Sequence, residues 1–241
     1  MSKISRILIK FLRPRNYLLF VLWRLKMAQI LIHSSRLNFN LRKANQRGLF
    51  LDCGSNIGQG FEFFRKFYPL EHFDFILFEP NPYCFKILEQ KYSNFHPKGV
   101  MLINAAVGTK EGQIDFYGLD DTEGGIYSVG GSILPEHNSR IYLTPRSSSL
   151  KVNSINFNDF LRDLIGKKKY STIVLKLDIE GGEYEILDSL QDKHLLTLFD
   201  RIYVEFHSQY MSPDLASYYI DSEKEFLKYA KKIGTRVVKW I

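Results

Sequence analysis

Short apolar runs alternate with longer helical rhythms along most of this chain, and that alternation predicts parallel strands joined by helices. Residues 49–53 (L-F-L-D-C) are an apolar run around one acid, followed by Gly54, Gly58 and Gly60 and an amphipathic stretch over 61–68. That is strand, tight turn, helix. Residues 74–80 (D-F-I-L-F-E-P) predict a second strand, and Asn81–Pro82 opens a helix with Phe85, Leu88 and Tyr92 on one face. A third strand is expected over 100–108, a short additional one over 112–118, another over 151–155, and a helix over 156–165. Residues 172–182 (T-I-V-L-K-L-D-I-E-G-G) read as a buried strand leading through a glycine pair into a helix over 183–190. Residues 201–207 (R-I-Y-V-E-F-H) are the fifth strand of the main sheet, with a loop over 208–221, a helix over 223–232 and a last strand over 235–241.

Two stretches depart from this rhythm. Residues 1–47 read as two helical pieces broken at Pro14, the first with Ile4, Ile7, Leu8 and Phe11 at helical spacing. Residues 119–149 hold Gly124, Gly125, Gly130, Gly131, Pro135 and Pro145 without clear periodicity; a stretch this long usually serves a site or is disordered. Gly-Gly-Ser-Ile at 130–133 suits a substrate lid, against the plainer reading of a flexible insertion. The expected organisation is a helical extension over 1–47 and one domain over 48–241 carrying the 119–149 insertion.

Charge sharpens the boundary. Eleven of the 33 Lys and Arg fall in residues 1–47 with none of the 26 Asp and Glu, so the remainder carries 22 basic against 26 acidic groups. The extension is a basic arm on a mildly acidic body. Its longest apolar run, 17–23, is far short of the ~20 residues of a membrane span, and no small-residue cleavage site follows. Three readings stand for the arm: packing on the domain or on a second subunit as a homodimer, lying on an anionic membrane surface, or organellar targeting. Two cysteines, Cys53 and Cys84, exclude a disulfide framework and fit a cytoplasmic protein, and no zinc spacing is present. Single-stranded RNA is not expected as a partner, because the arm's aromatics lie inside its apolar stretch instead of forming separated platforms.

The chemistry gathers where strands end. In open α/β sheets ligands bind beyond the carboxyl ends of the strands. The glycine spacing here is G-x-x-x-G-x-G, which differs from the G-x-G-x-x-G of dinucleotide cradles. Asp52 at the first strand end would face a cationic amino-acid ligand. Glu79, 27 residues later at the second strand end, can accept two ribose hydroxyls. Small residues at 104–108 leave room for a flat ring. Asp178 and Glu180 follow the strand after the insertion and can orient a hydroxyl, act as base or bind a divalent cation, with one of them instead capping the next helix. His207 at the following strand end lies in the range for proton abstraction.

Together L-D-C-G-S-N-I-G (51–58), F-E-P-N-P (78–82), N-A-A-V-G (104–108), L-K-L-D-I-E-G-G-E (175–183) and V-E-F-H (204–207) resemble the FkbM family of S-adenosylmethionine-dependent methyltransferases. The resemblance implies an α/β Rossmann-like sheet with helices on both faces and O-methylation of a hydroxyl, often on a sugar or a polyketide-type product. It implies that Asp52, Gly54, Asn56 and Gly58 line the amino-acid end of the cofactor, that Glu79 holds the ribose, and that Ala105 and Ala106 lie near adenine. Asp178, Glu180 and His207 would face the transferred methyl, with His207 or Asp178 as base and Glu180 positioning. A magnesium-like ion on Asp178 and Glu180 is the variant of that mechanism. The family's suggested acceptor is a polysaccharide or glycolipid. Against it stand an NAD-dependent oxidoreductase, disfavoured by the glycine spacing, and a membrane-surface binding protein led by the basic arm.

Overall fold

The computed structural model describes residues 14–119, 125–127, 130–137, 148–167 and 169–240. Its elements are α1 (Pro14–Ala44), β1 (Gly48–Cys53), α2 (Gln59–Phe64), β2 (Phe73–Phe78), α3 (Pro82–Tyr92), β3 (Val100–Ile103), β4 (Ala106–Gly108), β5 (Gly112–Tyr117), β6 (Ser149–Asn156), α4 (Phe157–Gly166), β7 (Thr172–Leu177), α5 (Glu183–Asp192), β8 (Arg201–Val204), α6 (Pro213–Ile233) and β9 (Val237–Lys239). Six strands form a sheet in the order β3-β2-β1-β7-β8-β9, every neighbouring pair parallel. This is the expected Rossmann-like sheet. A smaller sheet, β4-β6-β5, stands beside it.

Strand residues alternate between the two faces, so each face buries its own set. Leu49, Leu51, Phe78, Leu175, Leu177 and Val204 pack under α4, α5 and α6. On the other face Phe50, Phe75, Val174 and Tyr203 pack with Phe61 and Phe64 of α2 and Ile30 and Leu41 of α1. That face is aromatic: Phe50 lies 4.9 Å from Phe64, 5.2 Å from Tyr68 and 5.1 Å from Phe75, centroid to centroid. Each such ring contributes on the order of 1.5–3 kcal/mol by leaving water. The α1 helix is therefore seated on the sheet, and no described helix is long and apolar enough to cross a membrane.

Register positions the chemistry. Within β1, β2 and β7, Cys53 pairs with both Phe78 and Leu177, and Leu177 pairs with Val204 of β8. The next residues, Gly54, Glu79, Asp178 and Glu205, thus emerge at one level along a single edge. Asp52 and Lys176 are direct partners on neighbouring strands, so their side chains share a face.

Two expectations are corrected. The strand read over 100–108 is two, because Asn104 turns the chain by donating from Nδ2 to the carbonyls of Glu79 (2.8 Å) and Pro80 (3.2 Å), and β4 joins the small sheet. The loop read over 208–221 is mostly helix: Pro213 occupies the first turn of α6, a position where its missing N–H is no loss. Residues 14–44 form one helix, as expected for the second piece of the arm, and the first piece, with Ile4, Ile7, Leu8 and Phe11, lies outside the described residues. Of the 119–149 stretch, 120–124, 128–129 and 138–147 likewise lie outside them.

Candidate active site

A cavity of about 290 Å³ opens at the carboxyl edge of the sheet. One wall is the turn after β1. Gly54 there has φ +82°, and a Cβ on it would lie 1.7 Å from the Asp178 carbonyl oxygen, so only glycine lets the β1 and β7 ends come this close. Gly54 and Ser55 donate their N–H groups to the Phe78 carbonyl at 3.1 and 3.0 Å, tying the turn to β2. Asn56, itself at φ +46°, donates its N–H to Glu79 Oε2 at 2.7 Å. Gly58 caps α2 at φ +97° against the Tyr92 ring and does not line the cavity. It shapes the turn from outside.

Glu79 lines the cavity with both oxygens engaged, Oε1 accepting from the Asn81 N–H at 2.8 Å and Oε2 from Asn56. Burial raises its pKa to about 7, with the two N–H groups pulling the other way. Each oxygen retains a lone pair for a ligand hydroxyl. Ala105, Ala106, Phe78 and Phe116 supply an apolar slot beside it.

Beneath the opposite wall sits a buried ion pair. Lys176 Nζ lies 3.0 Å from Asp52 Oδ1, 3.2 Å from Asp178 Oδ2 and 3.0 Å from the Gly54 carbonyl. Burial works against its charge, but Asp178 and Asp52 outweigh it and hold the ammonium firmly protonated. Asp52, fully buried, lies below the cavity and does not line it, contrary to the expectation that it faces a ligand. Its Oδ1 approaches Lys176 without hydrogen-bond alignment, and burial raises its pKa. Gly60 makes room for the pair: a Cβ there would stand 3.1 Å from Lys176 Cε and 3.2 Å from Asp52 Oδ2.

Asp178 and Glu180 line the cavity and are organised by a residue without a predicted role, Glu183. Fully buried at the start of α5, it accepts N–H groups from Ile179 (2.7 Å) and Gly181 (2.9 Å) and faces His207 Nδ1 at 3.1 Å. The turn it clasps is tight, with Glu180 at φ +55° and Gly181 at φ +103°. His207 Nε2 lies 3.4 Å from Glu180 Oε2 and 3.8 Å from Asp178 Oδ1. Burial opposes its charge, yet Glu183 and Glu180 drive its pKa up to about 11, while Glu180 drops to about 2 despite its own burial. The two acids thus favour the charged form of His207, which does not line the cavity. The residue expected as base stands behind the cavity wall, within 3.1–3.8 Å of Glu183, Glu180 and Asp178.

The described part of the insertion closes this wall. Ser132 forms a bridge with Tyr117 and donates Oγ–H to the Glu180 carbonyl at 2.6 Å, and buried His137 places Nε2 3.1 Å from Glu180 Oε2. His137 gave no signal in the sequence, because it lies 43 residues before Glu180 in a run without periodicity. Burial, repulsion from Asp178 and the nearby Glu180 push half-buried Glu205 up to about 7, against the pull of His207. Among the described residues, His137–Glu180–His207 and Asp178–Glu205–His207 stand close enough to grasp a cation. His207 is common to both sets, so a cation held there would compete with the proton that Glu183 and Glu180 favour on its ring.

The methyltransferase FkbM domain model matches residues 52–228. Among curated proteins, the chain is 24% identical over 161 residues to methyltransferase 1 of Beauveria bassiana (strain ARSEF 2860). That match covers 64% of this chain and 63% of the relative, so the chain spans under two thirds of that protein's length. No solved structure matches it significantly.

Proposed function

This chain belongs to the FkbM methyltransferase family, and from that membership we propose an S-adenosylmethionine-dependent O-methyltransferase whose acceptor is a hydroxyl, in the first instance of a sugar in a polysaccharide or glycolipid. The observation that carries the reading is one cavity with a glycine turn, the acid Glu79 and an apolar slot on one side, and two acids on the other. Bound there, the cofactor supplies a methyl group already activated by its sulfonium. Glu79 takes the ribose hydroxyls on its spare lone pairs, and the slot of Ala105, Ala106, Phe78 and Phe116 takes the adenine. Gly54, Ser55 and Asn56 border the amino-acid end, with Asp52 acting through Lys176 from below.

The remaining work is alignment, which supplies most of the acceleration for a pre-activated group. Asp178 accepts the acceptor's proton. Lys176 holds its Oδ2 at 3.2 Å while its Oδ1 stands farther off, 3.8 Å from His207 Nε2, and Glu180, clamped by His137 and His207, fixes the acceptor's orientation. The seat of Ser132 on Glu180 lets residues 130–137 shield the acids from water.

Titration calorimetry with S-adenosylhomocysteine tests the cofactor. Micromolar affinity is expected, weakened ~10–100-fold in Glu79→Ala, the range for losing a charged hydrogen-bonding partner. Tighter binding of NAD than of S-adenosylhomocysteine would overturn the reading. The same titration carries a pH dependence. Free Glu79 is protonated below about pH 7, and ligand hydroxyls favour its ionised form. Affinity should therefore be flat above that pH and weaken toward tenfold per unit below it. A flat profile from pH 5.5 to 8.5 would remove Glu79 from the contact.

Lys176 and His207 already balance the acids at this edge, so EDTA should leave turnover unchanged. Loss of activity restored by Mg²⁺ or Mn²⁺ would instead support an ion on Asp178 and Glu180, which both line the cavity.

A further inference from the structure

A second cavity, of about 560 Å³, lies at the other end of the strands, between α1, α6 and the residues that begin β8 and β9. Its polar lining is basic. His33, Arg36, Arg201, Lys231 and Arg236 line it, and no Asp or Glu does. Ion pairs among the described residues use other lysines and arginines, leaving these four without a carboxylate partner. The acid next to Arg201, Asp200, is taken by the Thr172 hydroxyl and the Ile173 N–H.

Two of these side chains are deeply buried with an atom unsatisfied. Arg201 is 9% and His33 7% exposed, and neither Arg201 Nε nor His33 Nε2 has a hydrogen-bond partner. Such groups are normally satisfied, because an unpaired buried donor costs about 1–3 kcal/mol. His33 also feels the crowding: burial, then Arg201, Arg236 and Arg36, hold its pKa down to about 4. Uncompensated positive charge converges on a concave space.

We propose that this cavity binds a phosphate or diphosphate group, a site separate from the methyl-transfer cavity. The donor set selects phosphoryl over carboxylate. Three guanidinium groups, an ammonium and an imidazole offer more N–H bonds than two carboxylate oxygens can accept, and arginine forks match the oxygens of phosphate. Arg201 and His33 form the floor, and exposed Arg36, Lys231 and Arg236 form a rim able to fold over the ligand. The phosphate comes either from a soluble ester or from a lipid. Along α1, Leu25, Ile32 and Phe39 recur every seven residues and are 56%, 70% and 67% exposed, and Ile32 also lines the cavity. An apolar stripe beside the cationic mouth suits a phosphate carried at a lipid surface.

The test uses the full chain and the variant Arg36→Gln/Arg236→Gln, whose exposed positions spare the fold, with thermal melting as a check. One arm is calorimetric titration with pyrophosphate at fixed ionic strength; the other is sedimentation with phosphatidylcholine vesicles with and without phosphatidic acid. The expected result is saturable binding in at least one arm, weakened tenfold or more in the variant, and a rise in the His33 pKa by NMR when the ligand is bound. Binding of pyrophosphate alone assigns a soluble ester, and binding of vesicles alone assigns a lipid phosphate. No saturable binding in either arm, or equal binding by the variant, overturns the proposal. Neither arm depends on the methyltransferase reading.

Discussion

Replacing Lys176 with methionine is expected to remove about 3–5 kcal/mol of stability, the penalty for leaving a buried charge without its partner. Lys176 is 2% exposed and Asp52 is fully buried. The ammonium also bridges Asp178 and the Gly54 carbonyl, so it fastens the β1 turn to the end of β7. A loss of that size is a large part of the ~5–15 kcal/mol that holds a typical domain together. Urea unfolding followed by circular dichroism reads it directly. The double variant Asp52→Asn/Lys176→Met should recover much of the loss, since the buried carboxylate goes with its counter-ion. A single variant within 1 kcal/mol of the native protein would show that the pair is not what closes this edge.

Asp178→Asn is expected to lower kcat by ~10²–10⁴, the usual span for removing a general base, equal to about 3–5.5 kcal/mol of barrier. Lys176 keeps Asp52 and the Gly54 carbonyl as partners in this variant, so the fold should survive. Turnover would be measured with the best acceptor from a panel of free and lipid-linked sugars, beside S-adenosylhomocysteine binding, which should change far less. His207→Gln provides the contrast. Because His207 acts as a cation through Glu180 and Glu183, its loss should alter the pH profile and the fold more than the chemical step. An Asp178→Asn enzyme within threefold of the native rate would pass the role of base to another acid, with Glu205 next in line at a pKa of about 7.

How legible the site was depended on the distance over which each feature acts. The turn at 54–58 was readable because glycine's freedom at positive φ is a property of one residue in a strand-turn-helix pattern. Glu79, Ala105 and Ala106 line the cavity beside it, for strand ends announce themselves by where an apolar run stops. The α6 start carries an ambiguous local cue: Ser-Pro-Asp before a partly apolar stretch opens a helix as well as a loop. The split of 100–108 into β3 and β4 had no local cue, as it follows from Asn104 reaching the carbonyls after β2.

By itself the sequence determined the parallel α/β order, the glycine turn, the acids at the strand ends and the basic arm, since periodicity, backbone permissiveness and composition are written residue by residue. Only the tertiary structure decided which charged groups meet. Asp52 and Lys176 are 124 residues apart and face each other through cross-strand register. Glu180 finds His137 and His207 from opposite directions in the chain, and its approach together with that of Glu183 favours the charged form of His207. The cationic cavity likewise joins α1 to residues some 170–200 positions later. A side chain's charge state is set by burial and neighbours, and neighbours are what folding supplies.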